Sequence, residues 1–299
     1  MIRVGTCSWA DESFSKAWYP TRVKSGERLA YYAERFDVVE ANSTFYRLPD
    51  EDLVARWART LPEGFVMHVK AFGLMTRHPV RLDALPDDLH DEVEADERGR
   101  VDRPSREVRG EVFRRFLAAL EPLRKAGRLG GILMQFPPYV VPKPMSYEYL
   151  EWARDQLAGH EMLVEFRHKA WFEDPAEPLA FLEQHGMTYV TVDAPHDVIP
   201  LVVARTSGTA YVRFHGRNRG TWFKRTGSTA ERFDYLYSPE ELREWAGSLR
   251  GLASEADVVY AMFNNSGRSG GGEVPRDLAD GRAEVAQAPT NAAMLKALL

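Results

Sequence analysis

Four stretches of this 299-residue chain place polar or ionisable side chains two residues apart: Glu40 with Asn42, His68 with Lys70, Glu165 with Arg167, and Arg213 with His215. A spacing of two puts both members of a pair on one face of an extended strand. The residues between them (Ala41, Val69, Phe166, Phe214) are apolar and suit the opposite, packed face. Charges gathered on a single face are costly to bury unless they are paired or used. Glu165 reads as a general acid or base tuned by Arg167 and Arg213, with His215 as the second proton-transfer group. Lys70 reads as the cation that stabilises developing negative charge, and Glu40 as a further acidic member of the catalytic set. Asn42, Gln135 and Asn264 would orient a substrate, while Arg217 and Asn218 would hold its anionic end.

Two glycine- and arginine-rich segments define the expected ligand. His215–Arg225 reads HGRNRGTWFKR, with Trp222 and Phe223 among the cations. Asn264–Gly272 reads NNSGRSGGG, whose glycines let backbone N–H groups approach an anion. A small anionic ligand or phosphate is therefore the expected partner. No cofactor is expected. A divalent metal on Glu165, Asp193 and His215 is the weaker alternative, because Arg167 and Arg213 share the faces of those ligands and oppose a cation. The chain has no H-E-x-x-H, P-loop or dinucleotide fingerprint. Gly267–Gly271 matches G-x-S-x-G in letters only, since Glu273-Val274-Pro275 follows where a nucleophile elbow needs a helix.

The elements that must position these residues recur regularly. β-rich runs lie at Ile2–Trp9, Val38–Thr44, Phe65–Ala71, Gly131–Phe136, Met162–His168, Met187–Asp193, Ala210–Gly216 and Val258–Asn264. They start about 37 residues apart on average, enough for a strand, a crossover helix and two turns. Helical periodicity fills most intervals: Ser25–Phe36, Pro49–Thr60, Ser105–Ala126, Tyr147–Leu157, Ala176–His185, Ser238–Ser254 and Asn291–Leu298. Ser238-Pro239-Glu240-Glu241 combines a Ser cap, a first-turn proline and an acid at the third position. Alternating β and α with near-continuous apolar strands predicts a parallel sheet covered by helices. Eight repeats predict a single TIM-type (β/α)8 barrel over residues 1–299, with the interval Ala194–Thr209 too rich in proline and β-branched residues for a regular helix. A charged excursion at Gly73–Arg109, with a short helix near Pro86–Ala95, and a Gly-rich loop at Ser266–Pro289 account for the length beyond a minimal barrel. Active sites of such barrels lie at the C-terminal strand ends, where all the polar pairs above fall.

Composition bounds the rest. With 39 Lys and Arg against 44 Asp and Glu, the net charge of −5 provides no global attraction to nucleic acid or acidic membranes. The single cysteine, Cys7, excludes an internal disulfide and fits a reducing compartment. Neither a transmembrane run nor the apolar core of a secretory signal is visible, so a cytoplasmic protein with no membrane partner is expected.

The ordered set VGTCSW, WYP, VVEANSTFYRLP, FVMHVK, ILMQFPP, LVEFRHKAW, TVDAP, YVRFHGRN, FNN and PTNAAMLKALL resembles the YecE-like family, a domain of unknown function numbered 72. That resemblance implies a TIM-type barrel and supplies no established reaction. Its pattern falls on Glu40, Asn42, Tyr46, Lys70, Gln135, Glu165, Arg167, His168, Trp171, Asp193, Arg213, His215, Asn264 and Asn265. The structural relatives it implies, of xylose isomerase and apurinic endonuclease type, use metal clusters, and the histidine-rich three-metal set of the endonucleases is missing here. The chain departs from the family pattern around Ser266–Pro289, where a short connection is usual. Three functional classes follow: an enzyme acting by acid–base chemistry on a small anionic or phosphorylated metabolite, a nucleic-acid or phosphodiester protein with or without a metal, and a ligand sensor without turnover. The first is the leading expectation, with hydrolysis, isomerisation and lyase chemistry all open.

Overall fold

Eight parallel strands form where the apolar runs are: β1 (Ile2–Thr6), β2 (Val38–Ala41), β3 (Val66–Lys70), β4 (Leu129–Gln135), β5 (Met162–Glu165), β6 (Thr188–Asp193), β7 (Thr209–Phe214) and β8 (Val258–Phe263). Every residue of β2, β5, β6 and β7 is buried, as strands shielded on both faces require. In this computed structural model the strands close into a barrel in chain order, with β1 beside β8. The structure describes residues 1–222, 233–271 and 283–299. No described helix is long and apolar enough to cross a membrane. The chain forms two compact units, Met1–Glu40 with Tyr189–Leu299 and Ala41–Thr188.

In the first unit β1 runs in register with β8 from Ile2 against Val259 to Thr6 against Phe263. Gly5 is required there, because a Cβ would meet the Val38 carbonyl oxygen at 2.2 Å. The Tyr32 hydroxyl bridges the same crossing, accepting from the Thr6 N–H and donating to the Val38 carbonyl, each at 2.9 Å. Helix Pro239–Ala253 begins with the capping box read from the sequence, Ser238 accepting from the Glu241 N–H at 3.2 Å. Helix Gln287–Leu298 starts four residues before the periodicity suggested, with Pro289 in its first turn, where a missing N–H costs nothing. Described residues 194–208, between β6 and β7, contain no helix, as their composition predicts. The described flanks of the Gly-rich loop pair as an antiparallel ribbon, Arg268–Gly270 with Glu284–Ala286. Residues 223–232 and 272–282, including Phe223, Lys224 and Arg225 of the basic loop, lie outside the described residues, as does the Trp222 side chain.

In the second unit β3, β4 and β5 are flanked by helices Glu51–Thr60, Arg106–Lys125, Pro144–Gln156 and Ala176–Gln184. The third of these starts three residues ahead of the expected Tyr147, again on a first-turn proline. The charged excursion after β3 is a short ribbon, Val80–Arg81 with Arg100–Val101, carried on 3-10 turns. The helix expected near Pro86–Ala95 is one of these turns, Asp87–Glu92. Asp87, Asp88, His90 and Asp91 lie within that turn, and residues of these types are weak helix formers.

Candidate functional site

The second unit brings four of the expected residues together. Gln135 ends β4 and stands in register with Glu165, which ends β5. The amide oxygen of Gln135 accepts from Lys70 Nζ and from Arg167 Nη2, each at 3.1 Å. Arg167 Nε in turn donates to the fully buried carboxylate of Glu165. Lys70 is anchored at both ends: its carbonyl accepts from the Thr44 hydroxyl at 2.6 Å, and its ammonium lies 4.3 Å from the centroid of the Phe45 ring. The group thus holds two cations and one carboxylate around a neutral oxygen.

The excursion adds a residue that strand-end reasoning missed. His78 packs edge-on against Phe45, ring centroids 4.9 Å apart, and its Nδ1 pairs with the Thr76 hydroxyl at 2.8 Å. Burial, reinforced by the positive charges of Lys70 and Arg167, lowers its pKa to about 4. His78 is therefore a neutral imidazole at physiological pH. The other positions read from this half have mainly local roles. His168 Nδ1 accepts from the Ala170 N–H at 3.1 Å, and Trp171 stacks on Phe166 at 3.9 Å while donating to the Val140 carbonyl at 2.8 Å. Tyr46 is 72% exposed, next to Phe45. Asn42 follows β2 and accepts the Phe45 N–H through its carbonyl. His68, read as sharing a functional face with Lys70, is fully buried, and its Nδ1 accepts from the Gly131 N–H at 2.9 Å. A Cβ at Gly130 would meet that imidazole at 2.6 Å, so the glycine makes room for a core histidine.

The first unit holds its own polar network. Arg213 Nη2 donates to Glu40 Oε1 at 2.6 Å, both side chains fully buried, and the Tyr211 hydroxyl donates to Glu40 Oε2 at 2.9 Å. Burial first, and then the Glu40 charge, raise the pKa of the neighbouring Cys7 thiol well above its ordinary value. His215 lies 3.5 Å from Arg213 through Nε2 and 2.9 Å from the Asn264 amide through Nδ1.

Asp193, at the end of β6, accepts from Arg217 Nε at 2.9 Å, Trp245 Nε1 at 3.0 Å and His196 Nε2 at 3.2 Å. Arg217 also donates to Glu241 at 3.0 Å, and Glu241 accepts the Tyr235 hydroxyl at 2.7 Å. Arg217 is thus held between two carboxylates of its own chain. Asn218 donates to the Asp234 carbonyl at 2.9 Å, and Asn265 donates to the Tyr235 carbonyl and to Asn291, both at 2.9 Å. Asn218 thus joins two parts of the loop after β7, and Asn265 ties that loop to helix Gln287–Leu298.

The metal alternative meets a donor set of the wrong kind. Asp193 is filled by an arginine, a tryptophan and a histidine donor, and His215 by Asn264, so neither is arranged as a ligand. Among the described residues no three His, Cys, Asp or Glu side chains gather as a metal-holding group. In the second-unit group the Gln135 amide oxygen accepts from two cations without adding charge, while the Glu165 carboxylate pairs with Arg167.

Known proteins place the chain in a family. The profile described as Protein of unknown function DUF72 matches residues 3–297. UPF0759 protein YunF of Bacillus subtilis (strain 168) is 30% identical over 280 residues, 91% of this chain and 90% of that protein. A crystal structure of a DUF72 family protein from Thermotoga maritima MSB8 superposes with a TM-score of 0.76 at 31% identity, covering 100% of this chain and 98% of the other. Another, from Enterococcus faecalis V583, gives 0.76 at 22% identity over 100% and 95% of the two chains. The family profile matches almost end to end, and the closed barrel and the motifs read from the sequence agree with it: the chain belongs to the DUF72 family.

Proposed function

We propose that this protein is an enzyme that binds a small anionic metabolite between Lys70 and Arg167 and acts on it by acid–base chemistry. The observation that carries the reading is the convergence of both cations on the single amide oxygen of Gln135. A carboxylate or phosphate oxygen arriving there replaces a neutral acceptor with a charged one, which roughly doubles the strength of each hydrogen bond. Glu165, held by Arg167, is the carboxylate of the group and takes the proton-transfer role. Lys70 stabilises negative charge that develops on the substrate, and Gln135 orients the pair of cations. His78 borders the group as a neutral imidazole and adds no charge competing for the anion.

The test separates binding from turnover. Incubating the full chain with a panel of carboxylated and phosphorylated metabolites, read by mass spectrometry, should show one consumed. K70Q should weaken its binding about tenfold or more, the value of a charge-assisted hydrogen bond. E165Q should retain binding and lose product formation. Unchanged product formation in E165Q, or unchanged binding in K70Q, removes the reading.

A further inference from the structure

The excursion after β3 carries a second concentration of positive charge that the Lys70–Arg167 group does not use. Arg77 and Arg109 both place their guanidinium carbon 5.2 Å from the centroid of the Tyr149 ring, and Arg109 lies 5.6 Å from that of Trp152. The charge of Arg103, which pairs with Asp102 at 3.7 Å, also acts on Arg77, as does that of Arg109. Burial and these two like charges hold the Arg77 pKa below its ordinary value.

Carboxylates nearby are committed elsewhere. Among the described residues Arg81 pairs with Asp83, Arg100 with Asp96, Arg114 with Glu111 and Arg115 with Asp88. Asp102 reaches only Arg103, at 3.7 Å, and Glu107 is capped by Ser105 and the start of its own helix. Neither Arg77 nor Arg109 has a carboxylate within ion-pair distance among the described residues. Like charges left together beside paired neighbours are a cost to the fold, and a cost kept in place points to a use.

The backbone points the same way. Two non-glycine residues in the described chain have positive φ, and both are arginines of this excursion: Arg77 at 65° and Arg103 at 53°. Left-handed backbone is disfavoured for a long side chain, so each is held there by its surroundings. The Tyr139 hydroxyl donates to the Arg77 carbonyl at 2.6 Å and the Tyr149 hydroxyl to the Met75 carbonyl at 2.7 Å, pinning the turn that presents Arg77.

From this arrangement we infer that Arg77 and Arg109, gathered around Tyr149, form a second anion site that takes a phosphate group. Forked guanidinium donors approaching from different backbone positions match the several oxygens of a phosphate, and the ring beneath them fixes their planes. A single phosphate group fits the site better than a polyanion, which needs a run of unpaired cations. The site stands apart from the Lys70–Arg167 reading and does not depend on it.

Calorimetric titration of the full chain with inorganic phosphate at low ionic strength tests the site. Two binding events are expected in the wild type. R77Q and R109Q should each weaken the same one by about tenfold or more, and K70Q only the other. R109K, which keeps the charge and loses the fork, should fall between, with thermal melting confirming that each variant is folded. Glycerol phosphate binding more tightly than inorganic phosphate identifies a phosphorylated organic ligand, and weaker binding identifies free phosphate. Wild-type titrations in both R77Q and R109Q overturn the inference. So does tight oligonucleotide binding with a steep salt dependence that both variants abolish.

Discussion

Arg213 and Glu40 form an ion pair at 2.6 Å in which neither side chain reaches solvent. Tyr211 adds a hydrogen bond to the second carboxylate oxygen at 2.9 Å. Removing one charge leaves the other buried and uncompensated, which typically costs about 3–5 kcal/mol. E40A and R213A should each lower unfolding free energy by that order in a urea titration. The pair E40L/R213M, which removes both charges, should cost clearly less than either single change. A double variant as unstable as the sum of the singles would show that the pairing itself contributes nothing.

At Gln135, replacing the neutral acceptor with a charged one tests the cradle directly. Q135E puts a carboxylate where Lys70 and Arg167 already converge at 3.1 Å. Charge-assisted hydrogen bonds exceed neutral ones by about 1 kcal/mol, reduced here because both cations are partly exposed. The variant should therefore melt slightly higher than the wild type and bind phosphate or small carboxylates at least about tenfold more weakly. Unchanged anion binding in Q135E would place the anion elsewhere.

His78 couples stability to pH with a definite sign. Its pKa falls from the ordinary histidine value of about 6.5 when unfolded to about 4 in the folded chain, through burial and then the charges of Lys70 and Arg167. Between those values the unfolded chain binds the proton and the folded chain does not. The associated stability is fully present above about pH 6.5 and is lost as pH falls towards 4, on the order of 3 kcal/mol in all. H78Q should flatten this part of the stability-against-pH curve relative to wild type. Saturating the Lys70–Arg167 cradle with an anion should raise the His78 pKa, visible by NMR as a titration of its ring protons with its midpoint moved to higher pH. Parallel pH curves for wild type and H78Q would contradict the assignment.

How far the sequence reveals these features depends on their range. The eight strands follow from local apolar runs, and the barrel from their even spacing, so both were legible. Lys70, Gln135, Glu165 and Arg167 were legible for the same reason, as polar groups at the ends of apolar strands. His78 was not, because it sits eight residues beyond Lys70 in an excursion with no period to place it. Arg217 changes character in the structure: its partners Asp193 and Glu241 each lie 24 residues away, on β6 and on the helix after β7, and no local pattern announces them. The prolines at 144 and 289 hid two helix starts, since a first-turn proline reads as a break when only periodicity is followed.

Asp193 gives a last prediction that separates loop anchoring from ligand binding. Its carboxylate holds three donors from three elements: Arg217 after β7, Trp245 on helix Pro239–Ala253, and His196 after β6. An amide in its place keeps the shape but turns one acceptor into a donor facing other donors. D193N should therefore cost about 1–3 kcal/mol, the range for a buried donor left unsatisfied or opposed. The loss should be local as well as global. Amide hydrogen exchange should quicken around Arg217 and His196, whose hydrogen bonds are lost, while β3–β5 keep their protection. Phosphate binding should survive in D193N, because Arg217 is already committed within the protein and the cations proposed for the anion are in the other unit. Loss of phosphate binding in D193N, with the fold intact, would return Arg217 to the role of an anion ligand.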